Sequence, residues 1–183
     1  MVRLTYNSSG VNLLLQHTTG GEATMPLGPE QVKKLEGEVE GIIHASAEFD
    51  DAAEKICRLL YENVDHYDWV GFYMVKSDEP VLELGPFVGE PTEHVKIPFG
   101  KGICGQAAQI KKTFLVSDVS AESNYLSCSP EVKSEIVVPL MKGDKVLGEL
   151  DIDSHKLNAF DESDRTFLEW LCEKLVDRYF MED

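Results

Sequence analysis

Apolar residues repeat at helical spacing near both ends of the chain and at alternating spacing in between. From Pro29 onward, Val32, Leu35, Val39, Ile42 and Ile43 fall on one side of a predicted helix. Asp50 and Asp51 open a second helix carrying Ala53, Ile56, Leu59 and Leu60, with Cys57 among its core positions. The period then shortens. WVGFYMV (69–75) and VLELGPF (81–87) read as strands joined by a turn at 77–80. VKIPF, a glycine-rich turn, a short helix over 103–110 and a strand over 113–116 follow. A loop then leads into SEIVVPLM, which turns at KGDK into VLGELDID. A final helix starts near Asp161, where Asp161 and Ser163 offer caps, and buries Phe167, Leu168, Leu171, Cys172, Leu175 and Val176.

Helices at both ends and hairpin-linked strands between them predict an α+β domain, with helices packed on an antiparallel sheet. The expected division is an amino-terminal extension over residues 1–28 and one domain over 29–183. In the extension, Val11 to Leu15 form an apolar patch suited to a hairpin strand or a loosely attached segment. With 183 residues there is room for one full-sized core and no second domain.

Charge narrows the list of partners. Seventeen Lys and Arg stand against 33 Asp and Glu, a net charge of −16, so the summed field repels nucleic acid and anionic membranes. No apolar run approaches the roughly 20 residues of a membrane span. The amino terminus lacks signal-peptide order, so a cytoplasmic location is expected. The four cysteines, Cys57, Cys104, Cys128 and Cys172, include no Cys-x-x-Cys pair, which argues against structural zinc and leaves thiol chemistry open.

Three stretches are candidates for chemistry. FGKGICG has the literal G-x-G-x-x-G spacing, but the helix after it is short and its strands are hairpin-linked, which a dinucleotide site does not allow. The glycines are better read as a sharp turn that sets Cys104 at a helix start, where the dipole favours thiolate. Trp69, Gly71 and Tyr73 alternate on one strand, so two aromatic walls are expected to flank a gap left by the glycine. LGELDIDS places Glu149, Asp151 and Asp153 on one strand face; such a row of like charges calls for a cationic ligand unless the face is simply solvated.

Register decides whether Glu135 joins those acids. A two-residue loop at Gly143 and Asp144 pairs Lys142 with Lys145 and sets Glu135 opposite Ile152, on the wrong face. A three-residue loop, or an equivalent bulge, sets Glu135 opposite Asp153. The odd register is the expectation if the carboxylates share a pocket. Just before this strand, Cys128 stands in the Ser- and Pro-rich loop NYLSCSPEVK, an unusual place for a merely structural thiol.

In series, WVGFY, GPFVGEP, IPFGKGICGQAA, SEIVVPL, LGELDIDS and FDESD resemble the free methionine-(R)-sulfoxide reductases, a branch of the GAF domains, over roughly residues 30–180. The resemblance implies a central antiparallel sheet flanked by helices on both sides. It implies Cys128 as nucleophile, passing through a sulfenic acid, and Cys104 as the thiol that resolves it into a disulfide for a thioredoxin-like reductant. Glu135, Asp151 and Asp153 match the carboxylates that hold the substrate ammonium group and protonate the sulfoxide oxygen. Trp69 and Tyr73 match the aromatic walls, and backbone N–H groups from Leu126 through Ser127 to Cys128 match the carboxylate cradle. No metal or resident cofactor is implied.

Two features depart from the family pattern. His94 stands where members carry a further cysteine, and Ser129 and Pro130 follow Cys128 in place of an acidic residue. The alternative reading is a non-catalytic GAF domain that senses a small amino-acid-like ligand. A homodimer built through the terminal helices is compatible with either.

Overall fold

The computed structural model describes residues 27–76, 78–122, 126 and 129–181. The expectations for residues 1–26, including the patch from Val11 to Leu15, and for Ser127 and Cys128 lie outside these residues.

Two helices come first, α1 (Pro29–Ala45) and α2 (Phe49–Asn63). Pro29 suits the start of α1, where its missing N–H has no intrahelical partner to lose. Six strands follow: β1 (Trp69–Met74), β2 (Val81–Val88), β3 (Lys96–Pro98), β4 (Phe114–Val116), β5 (Ser134–Lys142) and β6 (Lys145–Ser154). A short helix, α3 (Gly102–Ile110), separates β3 from β4, and α4 (Glu162–Tyr179) closes the fold. α4 begins as the sequence predicts. Asp161 accepts from the backbone N–H groups of Ser163 and Asp164, and Asp164 returns the bond to Asp161 N–H, a capping box of the kind whose loss costs about 1 kcal/mol.

The strands form one antiparallel sheet in the order β3-β2-β1-β6-β5-β4. Its two faces carry separate cores. On one, Val70, Phe72, Ile136, Val138, Leu150 and Ile152 pack against α1, α2 and α4, with Cys57 and Cys172 inside as expected. On the other, Trp69, Tyr73, Val137 and Val146 meet Ile103, Cys104, Ala107 and Ala108 of α3. Helices therefore flank both sides, three against one.

The register of β5 and β6 combines both hairpin expectations. The turn is the two-residue form, with Lys142 opposite Lys145 and Gly143 at positive φ (59°). A bulge then intervenes. Leu140 pairs with Gly148 while the next residue, Met141, pairs with Val146, so Leu147 is the extra residue. Past the bulge, Glu135 faces Asp153. Among the described residues no helix is long and apolar enough to cross a membrane.

Candidate functional site

β6 runs centrally between β1 and β5, and its alternation delivers Glu149, Asp151 and Asp153 to the face beneath α3. Their partners across β1 are Tyr73, Gly71 and Trp69; across β5 they are Pro139, Val137 and Glu135. Four carboxyl groups thus meet inside the protein, at 0% exposure for Glu149 and Asp151, 1% for Asp153 and 3% for Glu135. Acids are rarely buried so completely unless paired. Here five of their oxygens, both of Glu149, both of Asp153 and Oδ1 of Asp151, have no hydrogen-bond partner among the described residues.

Burial and mutual repulsion push the carboxyls of Glu135, Glu149 and Asp153 well above the usual carboxylate range. Burial raises Asp151 to about 7, against the downward pull of hydrogen bonds from Cys104 and Glu135. The group can therefore hold protons at neutral pH, and it cannot ionise throughout without a compensating cation.

α3 supplies the thiol. Gly100 and Gly102 take positive φ (80° and 64°) to turn the chain into the helix. A Cβ at Gly105 would run into the Pro98 carbonyl, so only glycine lets α3 lie this close to β3. Cys104, in the first turn, is 4% exposed; its Sγ lies 3.3 Å from Asp151 Oδ2 and 3.6 Å from Glu135 Oε1. The helix-start reading placed this sulfur correctly and missed its neighbours. Its S–H donates to Asp151 and Glu135.

The aromatic pair also needs correction. Trp69 and Tyr73 share the face, but the space over Gly71 is filled by Trp69 itself, and a Cβ on Gly71 would overlap that ring. The indole stacks on Phe87 with centroids 5.5 Å apart and lies 6.3 Å from the Tyr73 ring at 30°. The alternation gave the face correctly; the side-chain torsion that lays the indole over the glycine leaves no trace in spacing. Both polar tips clamp the β2–β3 connection, Trp69 Nε1–H to Glu90 O at 3.0 Å and Tyr73 O–H to His94 O at 2.9 Å. His94 thus engages the site through its carbonyl.

Next to these acids lies a narrow crevice lined by Asp68, Trp69, Glu90, Thr92, Ser129, Val132, Asp153 and His155. A much larger groove, about 780 Å³, runs between α4 and the tip of the β5–β6 hairpin, away from the acids. Its thiol, Cys172, is held protonated by burial, as is Cys57, and both belong to the opposite core.

Residues 46–176 match the family profile of the GAF domain. The chain belongs to the GAF-domain family. Within it, the chain groups with the free methionine-R-sulfoxide reductases. It is 39% identical over 145 residues to the free methionine-R-sulfoxide reductase of Saccharomyces cerevisiae, covering 78% of this chain and 79% of that one. The structure of the Neisseria meningitidis free methionine-R-sulfoxide reductase in complex with its substrate superposes with a TM-score of 0.78 at 32% identity, covering 86% of this chain and 95% of that one. The Staphylococcus aureus fRMsr structure, also a substrate complex, gives 0.75 at 34% identity and covers 84% and 99%.

Of the residues singled out in the sequence, this GAF domain brings together Cys104, Glu135, Asp151, Asp153, Trp69 and Tyr73. Leu126 lies against α3, with its side chain 3.1 Å from where a Cβ on Gly102 would stand. Ser127 and Cys128 fall outside the described residues. Glu149 was visible on the acidic face of LGELDIDS yet was given no role. Its full burial, which alternation cannot reveal, makes it a fourth member of the cluster.

Proposed function

We propose that this GAF domain reduces free methionine-(R)-sulfoxide to methionine, with Cys128 as nucleophile and Cys104 as resolving thiol. The observation that carries the reading is the buried four-acid cluster with unpartnered oxygens beside a thiol. A free amino acid brings an ammonium group that one ionised carboxylate can pair with. A sulfoxide oxygen brings an acceptor for an acid kept protonated by its neighbours. The chain flanking Cys128 supports its assignment, since Leu126 packs on α3 and Ser129 lines the crevice with Asp153.

In the proposed cycle, the Cys128 thiolate attacks the sulfoxide sulfur while Glu135, Asp151 or Asp153 gives a proton to its oxygen. Methionine departs, reduced by two electrons, and Cys128 is left as the sulfenic acid. The Cys104 sulfur displaces that hydroxyl as water, forming a disulfide that a thioredoxin-like dithiol reduces. Backbone N–H groups around Leu126 and Ser127 bind the substrate carboxylate. Trp69 and Tyr73 bound the methyl end, the indole swinging off Gly71 to admit it.

The test is turnover of the (R) and (S) epimers of free methionine sulfoxide with a thioredoxin recycling system. Turnover of the (R) epimer alone is expected, abolished in Cys128→Ser; Cys104→Ser should complete one oxygen transfer and then fail to recycle through thioredoxin. Binding of the sulfoxide without turnover would identify a sensor instead, and turnover surviving in Cys128→Ser would remove the nucleophile assignment.

A further inference from the structure

We propose that the same sheet face is a metal site in which Cys104 Sγ, Glu135 Oε1 and Asp151 Oδ2 bind a soft divalent cation of the zinc class and thereby block the site. The inference rests on the reading above only in calling the bound state inhibited.

The three atoms lie within 4.8 Å of one another. Zinc–sulfur and zinc–oxygen bonds of about 2.3 Å and 2.0–2.2 Å, at a tetrahedral angle, put sulfur and oxygen about 3.5–3.7 Å apart. The observed separations from Cys104 Sγ are 3.6 Å to Glu135 and 3.3 Å to Asp151, so little movement is needed to admit the ion. A second observation points the same way. Glu149 is fully buried, neither of its oxygens has a hydrogen-bond partner within normal bonding distance among the described residues, and the Cys104 thiol and Asp151 both lie close enough to act on its carboxyl. It is placed to serve as the fourth ligand.

The donor set selects the cation. A thiolate with two or three carboxylates suits zinc or cadmium; magnesium and calcium demand six or more oxygens and gain nothing from sulfur. An ammonium group pairs with the carboxylates and leaves the thiol alone. Metal and substrate would therefore compete for Glu135 and Asp151, and the metal alone would also sequester the resolving sulfur. Binding displaces the Cys104 proton, and no electrons move.

Cadmium titrated into the reduced, metal-free protein gives a direct readout, the ultraviolet thiolate-to-metal charge-transfer band, with zinc competition measuring affinity. One cadmium per chain is expected to produce the band. Cys104→Ser should abolish it, Cys128→Ser should keep it, and Glu135→Gln, Asp151→Asn or Glu149→Gln should each weaken binding about tenfold or more. Absence of the band, or its loss in Cys128→Ser with retention in Cys104→Ser, overturns the site. Circular dichroism of each variant separates loss of binding from loss of fold. Sulfoxide turnover in chelator-treated buffer is measured alongside; turnover without a cadmium band refutes the metal site alone, and a band without turnover refutes the reductase alone.

Discussion

Asp164 and the sheet acids are equally buried and oppositely furnished. Asp164, 0% exposed, accepts from Tyr67 O–H at 2.9 Å, lies 3.0 Å from His66 Nε2, and takes the Asp161 N–H on its other oxygen at 2.9 Å. Every partner comes from the chain itself, and together they tie the start of α4 to the segment entering β1. Across the sheet, Glu149 and Asp153 have no hydrogen-bond partner at either oxygen among the described residues. A buried acid that holds a fold together is saturated by its own protein. One whose oxygens stay open in the interior is held in readiness for something that arrives later, and the rest of the structure must bear its desolvation.

The contrast can be broken most forcefully by exchanging acids for amides. Asp151→Asn and Glu135→Gln should lower kcat/KM for free methionine-(R)-sulfoxide by about 10²–10⁴, the usual range for a lost acid or base, without lowering the melting temperature. Steady-state kinetics beside thermal denaturation checks both halves. Asp164→Asn should do the reverse. It should cost about 2–4 kcal/mol in urea unfolding, because the amide keeps one acceptor oxygen and turns an N–H2 donor on either the Tyr67 hydroxyl or the Asp161 N–H, while molecules that remain folded turn over normally.

A smaller effect of opposite sign is expected at Glu149. Glu149→Gln removes a buried acid whose oxygens have no hydrogen-bond partner within normal bonding distance among the described residues, and should stabilise the protein by about 1–3 kcal/mol at pH 8. Destabilisation there would show that Glu149 is a structural acid of the Asp164 kind.

A last effect, spread over the whole group of acids, is a pH slope. The sheet acids have raised folded values, so their stabilising contribution is complete below the unfolded carboxylate range. It is lost as pH rises through the folded values, near 7 for Asp151. Each unit of raised pKa withdraws about 1.4 kcal/mol on the alkaline side. Melting temperature should therefore fall between pH 5 and 8 (about the window set by these groups), and fall less in Asp151→Asn. An unchanged slope in that variant would mean Asp151 is ionised and satisfied in the folded protein.

What could be read from the sequence follows from what periodicity records. Val32 to Ile43 and the alternation in LGELDIDS report which face a residue occupies, and the helices and strand faces emerged from that alone, whereas the joining of Glu135 to Asp151 and Asp153 depended on register and was implied by the family resemblance. Periodicity is blind to side-chain torsions, so the indole over Gly71 was invisible. It is also blind to which of two covered faces excludes water more completely, so Glu149 looked like an ordinary solvated acid. The thiol of Cys104 was legible as a helix-start residue, while its two carboxylate neighbours come from strands 31 and 47 residues away.

The bulge at Leu147 makes the hairpin tip a parity device. The acid pocket senses only the sum of turn residues and bulged residues, not how they are divided. A two-residue turn with one bulge and a three-residue turn with none deliver Glu135 to the same place opposite Asp153. Single-residue length changes near the tip should therefore be damaging one at a time and silent in compensating pairs. The hairpin can drift in length and sequence while Glu135 and Asp153, seven pairs below the Lys142–Lys145 tip, stay in register.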